Sequence, residues 1–115
     1  CSSAPSEVLA ALALRHRERL ADRNRALVLE NLALADAFVA AHAELVDWVR
    51  PTASPIGFPR LRVPDTQAFC ERLAAEAGVL LLPGEVYDEP GHVRFGLGRR
   101  GTAEAFARLS DFVAR

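Results

Sequence analysis

The chain has 115 residues, half of them hydrophobic and a quarter charged, with a formal net charge of −1 at pH 7. That balance describes one globular domain with a core of its own and excludes a disordered chain. The near-zero charge gives no reason to expect nucleic acid or a membrane surface as partner, and no apolar run approaches the roughly 18 residues of a membrane span.

Cys1 and Cys70 form no metal or redox motif and no secretory leader opens the chain, so a cytoplasmic location is expected. The first residue is a cysteine rather than a methionine, and the chain is expected to be a piece of a longer one. All 14 basic residues are arginine. Nothing here can form a Schiff base through a lysine.

In chain order, "CSSAPSEVLAALAL" opens with serines and Pro5, which suit a helix start, and Glu7 lies near the positive end of the helix dipole. Helix is predicted from about Pro5 to about His42. Leu20, Leu27, Leu34, Phe38 and Leu45 share one stripe, with Arg25, Glu30 and Asp36 opposite. Val8 to Leu14 is apolar nearly all round and is expected to be covered by something outside this chain. "LVDWVRP" (45–51) and "IGFPRLRV" (56–63) read as two strands joined by a proline-bounded turn.

"PDTQAFCERLAAEAG" (64–78) reads as a helix, with Asp65 as N-cap, Phe69, Leu73 and Ala77 inward, and Gly78 to end it. "VLLL" (79–82), apolar on both sides, is expected to be a central strand. "PGEVYDEPG" is loop. In "HVRFGLGRR" (92–100), Val93, Phe95 and Leu97 alternate as one face of a strand. Thr102 is expected to cap a last helix that turns Phe106, Leu109 and Val113 inward. The order α-β-β-α-β-β-α indicates an α+β fold: a long N-terminal helix (1–42), then a small domain (43–115) with a largely antiparallel sheet and helices on one face.

Arg94 points away from the hydrophobic face of its strand, between His92 and Gly96. It is either a solvated arginine or a planar fork for a carboxylate, for which Gly96 would leave space. Tyr87 and Gly91 are loop packing or ligand contacts. Gly57 and Phe58 are a bulge and a core aromatic, or ligand-facing. His92 flanks Arg94 and could approach the same ligand. His16 reads as part of a solvated basic turn and His42 as a core-edge histidine. Asn24 and Asn31 read as the edge of a helix groove. No histidine stands at metal-ligand spacing from another His or Cys, so no metal site is expected. Cys70 reads as a small buried hydrophobe, and no Cys–His catalytic pair assembles.

Taken together, "GVLLLPGEVYDEPGHVRFGLGR" resembles the end of the fold type I, class I/II, pyridoxal-phosphate-dependent aminotransferases. Those enzymes carry Gly-Val, a short apolar strand, Pro-Gly, a loop with an aromatic, then a strand bearing an arginine and a small residue. "CSSAPSEVLAALALRHRERLADRNRALVLENLALADAF" is similar to their long helix between the large and small domains. "ASPIGFPRLRV" stands where the family has a Gly-Gly-Phe-like strand, with Ile56 in place of the first glycine.

The resemblance implies the C-terminal small domain of such an enzyme, homodimeric and acting on amino-acid and 2-oxo-acid substrates. By the same resemblance Arg94 is the arginine that grips the substrate α-carboxylate; Gly57, Tyr87 and His92 are further substrate-side candidates from the reading of the residues themselves. The Schiff-base lysine, the aspartate paired to the pyridine nitrogen and the phosphate-binding residues belong to the missing large domain. No catalytic or cofactor-binding residue is therefore expected here, and the segment alone should be inactive and hold no pyridoxal phosphate. Two alternatives use the same residues differently: a freestanding amino-acid-binding regulatory module with Arg94 as its carboxylate ligand, and an interaction module built on the long helix.

Overall fold

The computed structural model describes residues 3–115, so Cys1 and Ser2, and the reading of Cys1, lie outside the described residues. Four helices, α1 (Ala4–Arg15), α2 (Arg17–Ala41), α3 (Thr66–Ala77) and α4 (Thr102–Val113), alternate with five short strands. These strands are β1 (Val46–Asp47), β2 (Ile56–Gly57), β3 (Arg60–Leu61), β4 (Leu82–Pro83) and β5 (Val93–Gly96). All pairing is antiparallel: β1 with β3, and a three-stranded sheet in the order β2-β5-β4. The α+β class read from the sequence holds.

The single helix predicted to His42 is two. At His16 the backbone leaves the helical region (φ −107, ψ 19), and its N–H is shared between the Leu12 and Ala13 carbonyls. The break falls among Arg15, Arg17 and Arg19, where like charges four apart weaken the helix. Ser3 caps α1 by accepting from Ser6 N at 3.4 Å, as the serine-proline opening suggests. No residue of α1 is buried, and every described residue up to Ala26 is exposed. Leu20, at the head of the predicted stripe, is 41% exposed. Burial begins only at Asn31, and the apolar side chains of Leu32, Ala35 and Phe38 follow it into the core.

The core fills the space between these three side chains, Leu73 of α3, Leu109 and Phe112 of α4, and Val93, Phe95 and Leu97 of the β5 run. Phe38, Phe95 and Phe106 meet at ring centroid distances of 5.3 to 6.2 Å. Asn31, expected at a groove edge, is instead buried, and its Nδ2 donates to the Leu97 and Arg99 carbonyls at 2.8 and 2.7 Å. That amide satisfies two carbonyls just beyond β5, where the chain has left the ladder.

Three strand readings change. "IGFPRLRV" is not one strand: Pro59 has no N–H to give the ladder, so the run divides into β2, on β5, and β3, on β1. The first predicted strand shrinks to β1, because Trp48 and Arg50 turn back to Asp36 of α2 while Val49 is 87% exposed. Residues 79–82 are not the central strand. Only Leu82 and Pro83 pair, at the sheet edge, and Leu80 is 80% exposed; β5 is central because it pairs with β2 on one side and β4 on the other.

Asp65 caps α3 by accepting from Ala68 N at 2.9 Å, and Gly78 ends that helix in the left-handed region (φ 66), both as predicted. Thr102 does not cap α4. Gly101 occupies the cap position at φ 82, and the Thr102 hydroxyl donates to the Arg99 carbonyl at 2.9 Å.

Asp36 ties β1 to α2: its Oδ1 accepts from Trp48 Nε1 at 3.0 Å and its Oδ2 from Arg50 Nε at 2.8 Å. The Arg50 hydrogen bond, opposed by burial and helped by Trp48 and the Arg50 charge, holds this carboxyl below its ordinary value of 3.8. A folded-state value below the unfolded one gives stability that is full above the unfolded value and lost as pH falls through the folded one. The gap in thermal midpoint between wild type and Asp36→Asn should therefore be open at neutral pH and close as pH drops below 3.8. A gap equally wide in acid would show that ionised Asp36 contributes nothing to stability.

Candidate functional site

Along β5 the inner side chains, Val93 and Phe95, are buried at 0% and 2% exposure, which forces Arg94 and Gly96 to the outer face of the sheet. Arg94 sits directly across from Leu82 in the register with β4. A Cβ on Gly96 would meet nothing within 4 Å, so the surface beside Arg94 is open. Arg94 enters no ion pair among the described residues; its Nη1 donates to Tyr87 Oη at 3.0 Å.

Tyr87 is held there by its loop. Residues Gly84–Tyr87 form a 3-10 turn that closes at Asp88 in the left-handed region (φ 58). Gly84 N donates to the His92 carbonyl at 2.7 Å, and Glu89 N to the Gly84 carbonyl at 3.0 Å. A Cβ on Gly84 would stand 2.0 Å from the Glu89 carbonyl oxygen, so only glycine allows this close approach. From below, Thr66 Oγ1 at the start of α3 donates to Glu85 Oε1 at 2.6 Å and accepts from Gly91 N at 3.0 Å.

The His92 ring stacks on Phe58 at 5.1 Å and 7°, and Phe58 meets Tyr87 edge-on at 5.8 Å and 89°. His92 thus joins Arg94 only through two rings. Gly57 does not join the cluster. It lies opposite Phe95 in register, on the core side, where Trp48 fills the space of a side chain: a Cβ would be 2.5 Å from its ring. Phe58, the middle ring, was legible only as a core aromatic or a ligand contact; its neighbours come from loops some 30 residues on, which no local pattern shows.

A cleft of about 410 Å³ opens between residues 79–82 and the start of α4, lined by Leu80, Leu82, Arg94, Gly96, Arg99 and Arg100. No acidic residue lines it, so its field favours an anion. A second hollow of about 350 Å³, between Leu45, Phe69 and Phe112, lies away from Arg94.

Cys70 is buried in α3, where burial, and after it the Glu85 charge, pushes its thiol up to about 11. It is a packed thiol, not a thiolate nucleophile. Among the described residues no group of three or more His, Cys, Asp or Glu side chains could hold a metal ion.

No family model matches the chain. It is 34% identical over 98 residues to a capreomycidine synthase of Streptomyces vinaceus, a match covering 78% of this chain and 23% of that protein. The structure of a PLP-dependent aminotransferase from Streptococcus suis superposes with a TM-score of 0.92 and 33% identity, over all of this chain and 31% of that one. A PLP-dependent cyclase, OrfR, superposes at 0.91 with 28% identity, over 98% of this chain and 32% of its own. The chain therefore spans about a quarter to a third of the length of the proteins it matches.

Proposed function

Since the chain belongs to the fold type I pyridoxal-phosphate-dependent aminotransferase family, as its C-terminal small domain, we propose that it supplies the arginine that binds the α-carboxylate of an amino-acid substrate. The observation that carries this is Arg94 itself: a guanidinium on the outer face of the central strand, beside an open glycine, with a phenol but, among the described residues, no carboxylate for partner. Its planar fork matches both carboxylate oxygens, and holding both fixes the orientation of the Cα bonds as well as position. Tyr87 and His92 stand on the same side, while Gly57 lies on the core side beneath Trp48.

The chain contains no lysine, so no Schiff base to the cofactor can form through a lysine of this segment. In this proposal the lysine, the partner of the pyridine nitrogen and the phosphate contacts belong to a preceding large domain, and the segment alone neither holds the cofactor nor turns over substrate. Val8, Leu9, Leu12 and Leu14, exposed along α1, face that large domain and the partner subunit of a cytoplasmic homodimer.

The test is to read the coding sequence upstream of Cys1 and assay the complete protein with pyridoxal phosphate, amino acids and 2-oxo acids. A preceding domain with a lysine between small residues, and transfer of the amino group, support the proposal. A start codon at Cys1 overturns it and leaves a binding module in which Arg94 holds an amino acid without chemistry.

A further inference from the structure

We propose that Tyr87 is a positioning residue for Arg94: its hydroxyl aims the guanidinium before the substrate arrives. The inference rests on Arg94 being the carboxylate ligand. An arginine on an open sheet face has four rotatable bonds, and ordering them on binding costs affinity. Here the Nη1 donation to Tyr87 Oη at 3.0 Å already fixes the far end of the side chain. The bond to Tyr87 uses Nη1 alone, so the side-on fork formed by Nε–H and Nη2 stays available to a carboxylate.

The phenol can do this because it is itself held. Its ring stands edge-on to Phe58, Phe58 is stacked on His92, and His92 lies two residues before Arg94 in the same segment. The backbone closes the loop, with Gly84 N donating to the His92 carbonyl and Gly91 N to Thr66 Oγ1. The arginine is thus braced by three rings that start from the chain beside it. Phenylalanine at 87 would keep the ring contact with Phe58 and lose only the hydroxyl.

The experiment uses the complete holoenzyme and three forms of it: wild type, Tyr87→Phe and Arg94→Gln. The probes are whichever of the twenty common L-amino acids wild type turns over fastest, and the amide of that amino acid, which lacks the carboxylate. Because the carboxylate is held alike before and during reaction, the Tyr87→Phe change should fall mainly on KM, raised about five- to tenfold for the acid. KM for the amide should stay as in wild type. Arg94→Gln should abolish the preference for acid over amide. If Arg94→Gln does so while Tyr87→Phe leaves KM for the acid unchanged, or raises it equally for the amide, the positioning role is overturned and the Arg94 assignment stands. If Arg94→Gln keeps the preference, the assignment and the positioning role fall together.

Discussion

Arg94→Lys in the complete enzyme is expected to lower kcat/KM for amino-acid substrates by about ten- to a hundredfold, or roughly one to three kcal/mol. The charge survives the substitution; what is lost is geometry. Lysine brings a single ammonium where arginine brings two parallel donors, so one of the two charge-assisted hydrogen bonds to the carboxylate goes, and with it the control of orientation. The variant should fold normally, since the Arg94 side chain lies outside the core and enters no ion pair among the described residues. Steady-state kinetics beside a thermal melt separate the two effects. Kinetics unchanged from wild type would remove Arg94 from the site.

Phe95→Ala, one residue along, is expected to act through stability, lowering it by about 3–5 kcal/mol. Phe95 is 2% exposed and stands where four elements meet. Its ring is edge-on to Phe106 of α4 at 5.3 Å and to Phe38 of α2 at 6.2 Å, with Trp48 tilted beside it at 6.1 Å. Truncation would leave a cavity that the helices could close only by moving in toward β5, at the expense of their other contacts. A loss of that size is a large share of the roughly 5–15 kcal/mol that holds a typical protein folded. Phe95→Leu, which keeps most of the volume, should cost clearly less. Denaturant unfolding of the three forms decides it, and a loss under about 1 kcal/mol for alanine would mean the three-ring contact is not the centre of the core.

Both predictions concern one strand, and the strand shows how far local pattern reaches. The alternation of Val93, Phe95 and Leu97 against Arg94 and Gly96 follows from the two-residue period of extended chain, and all five residues lie on the faces it assigns. The Asp65 cap and the Gly78 stop were legible for the same reason: each depends on groups within four residues. The Pro59 interruption has an equally local cause, a residue without an N–H, but 56–63 reads as one strand and the break emerges only in the structure.

Other features have partners far along the chain. The apolar run at 79–82 suits a central strand, but centrality is a matter of who pairs, and β5 has both neighbours. Asn31 reads as a groove residue until the carbonyls of Leu97 and Arg99, 66 and 68 residues later, come to its amide. The bond from Arg94 to Tyr87 spans only seven residues, yet it requires a 3-10 turn, a left-handed Asp88 and the Phe58 ring from the link between β2 and β3.

By itself, then, the sequence determined which stretches are helical and which extended, though not the break at His16 or where each strand starts and stops, together with the α+β class and an arginine on the polar face of a strand. Each of these follows from side-chain period and backbone chemistry over a few residues. Only the tertiary structure decided which strand is central, which polar groups are satisfied in the core, and that Arg94 meets a braced phenol. Those depend on contacts between distant segments, whose approach is set by how the whole core packs.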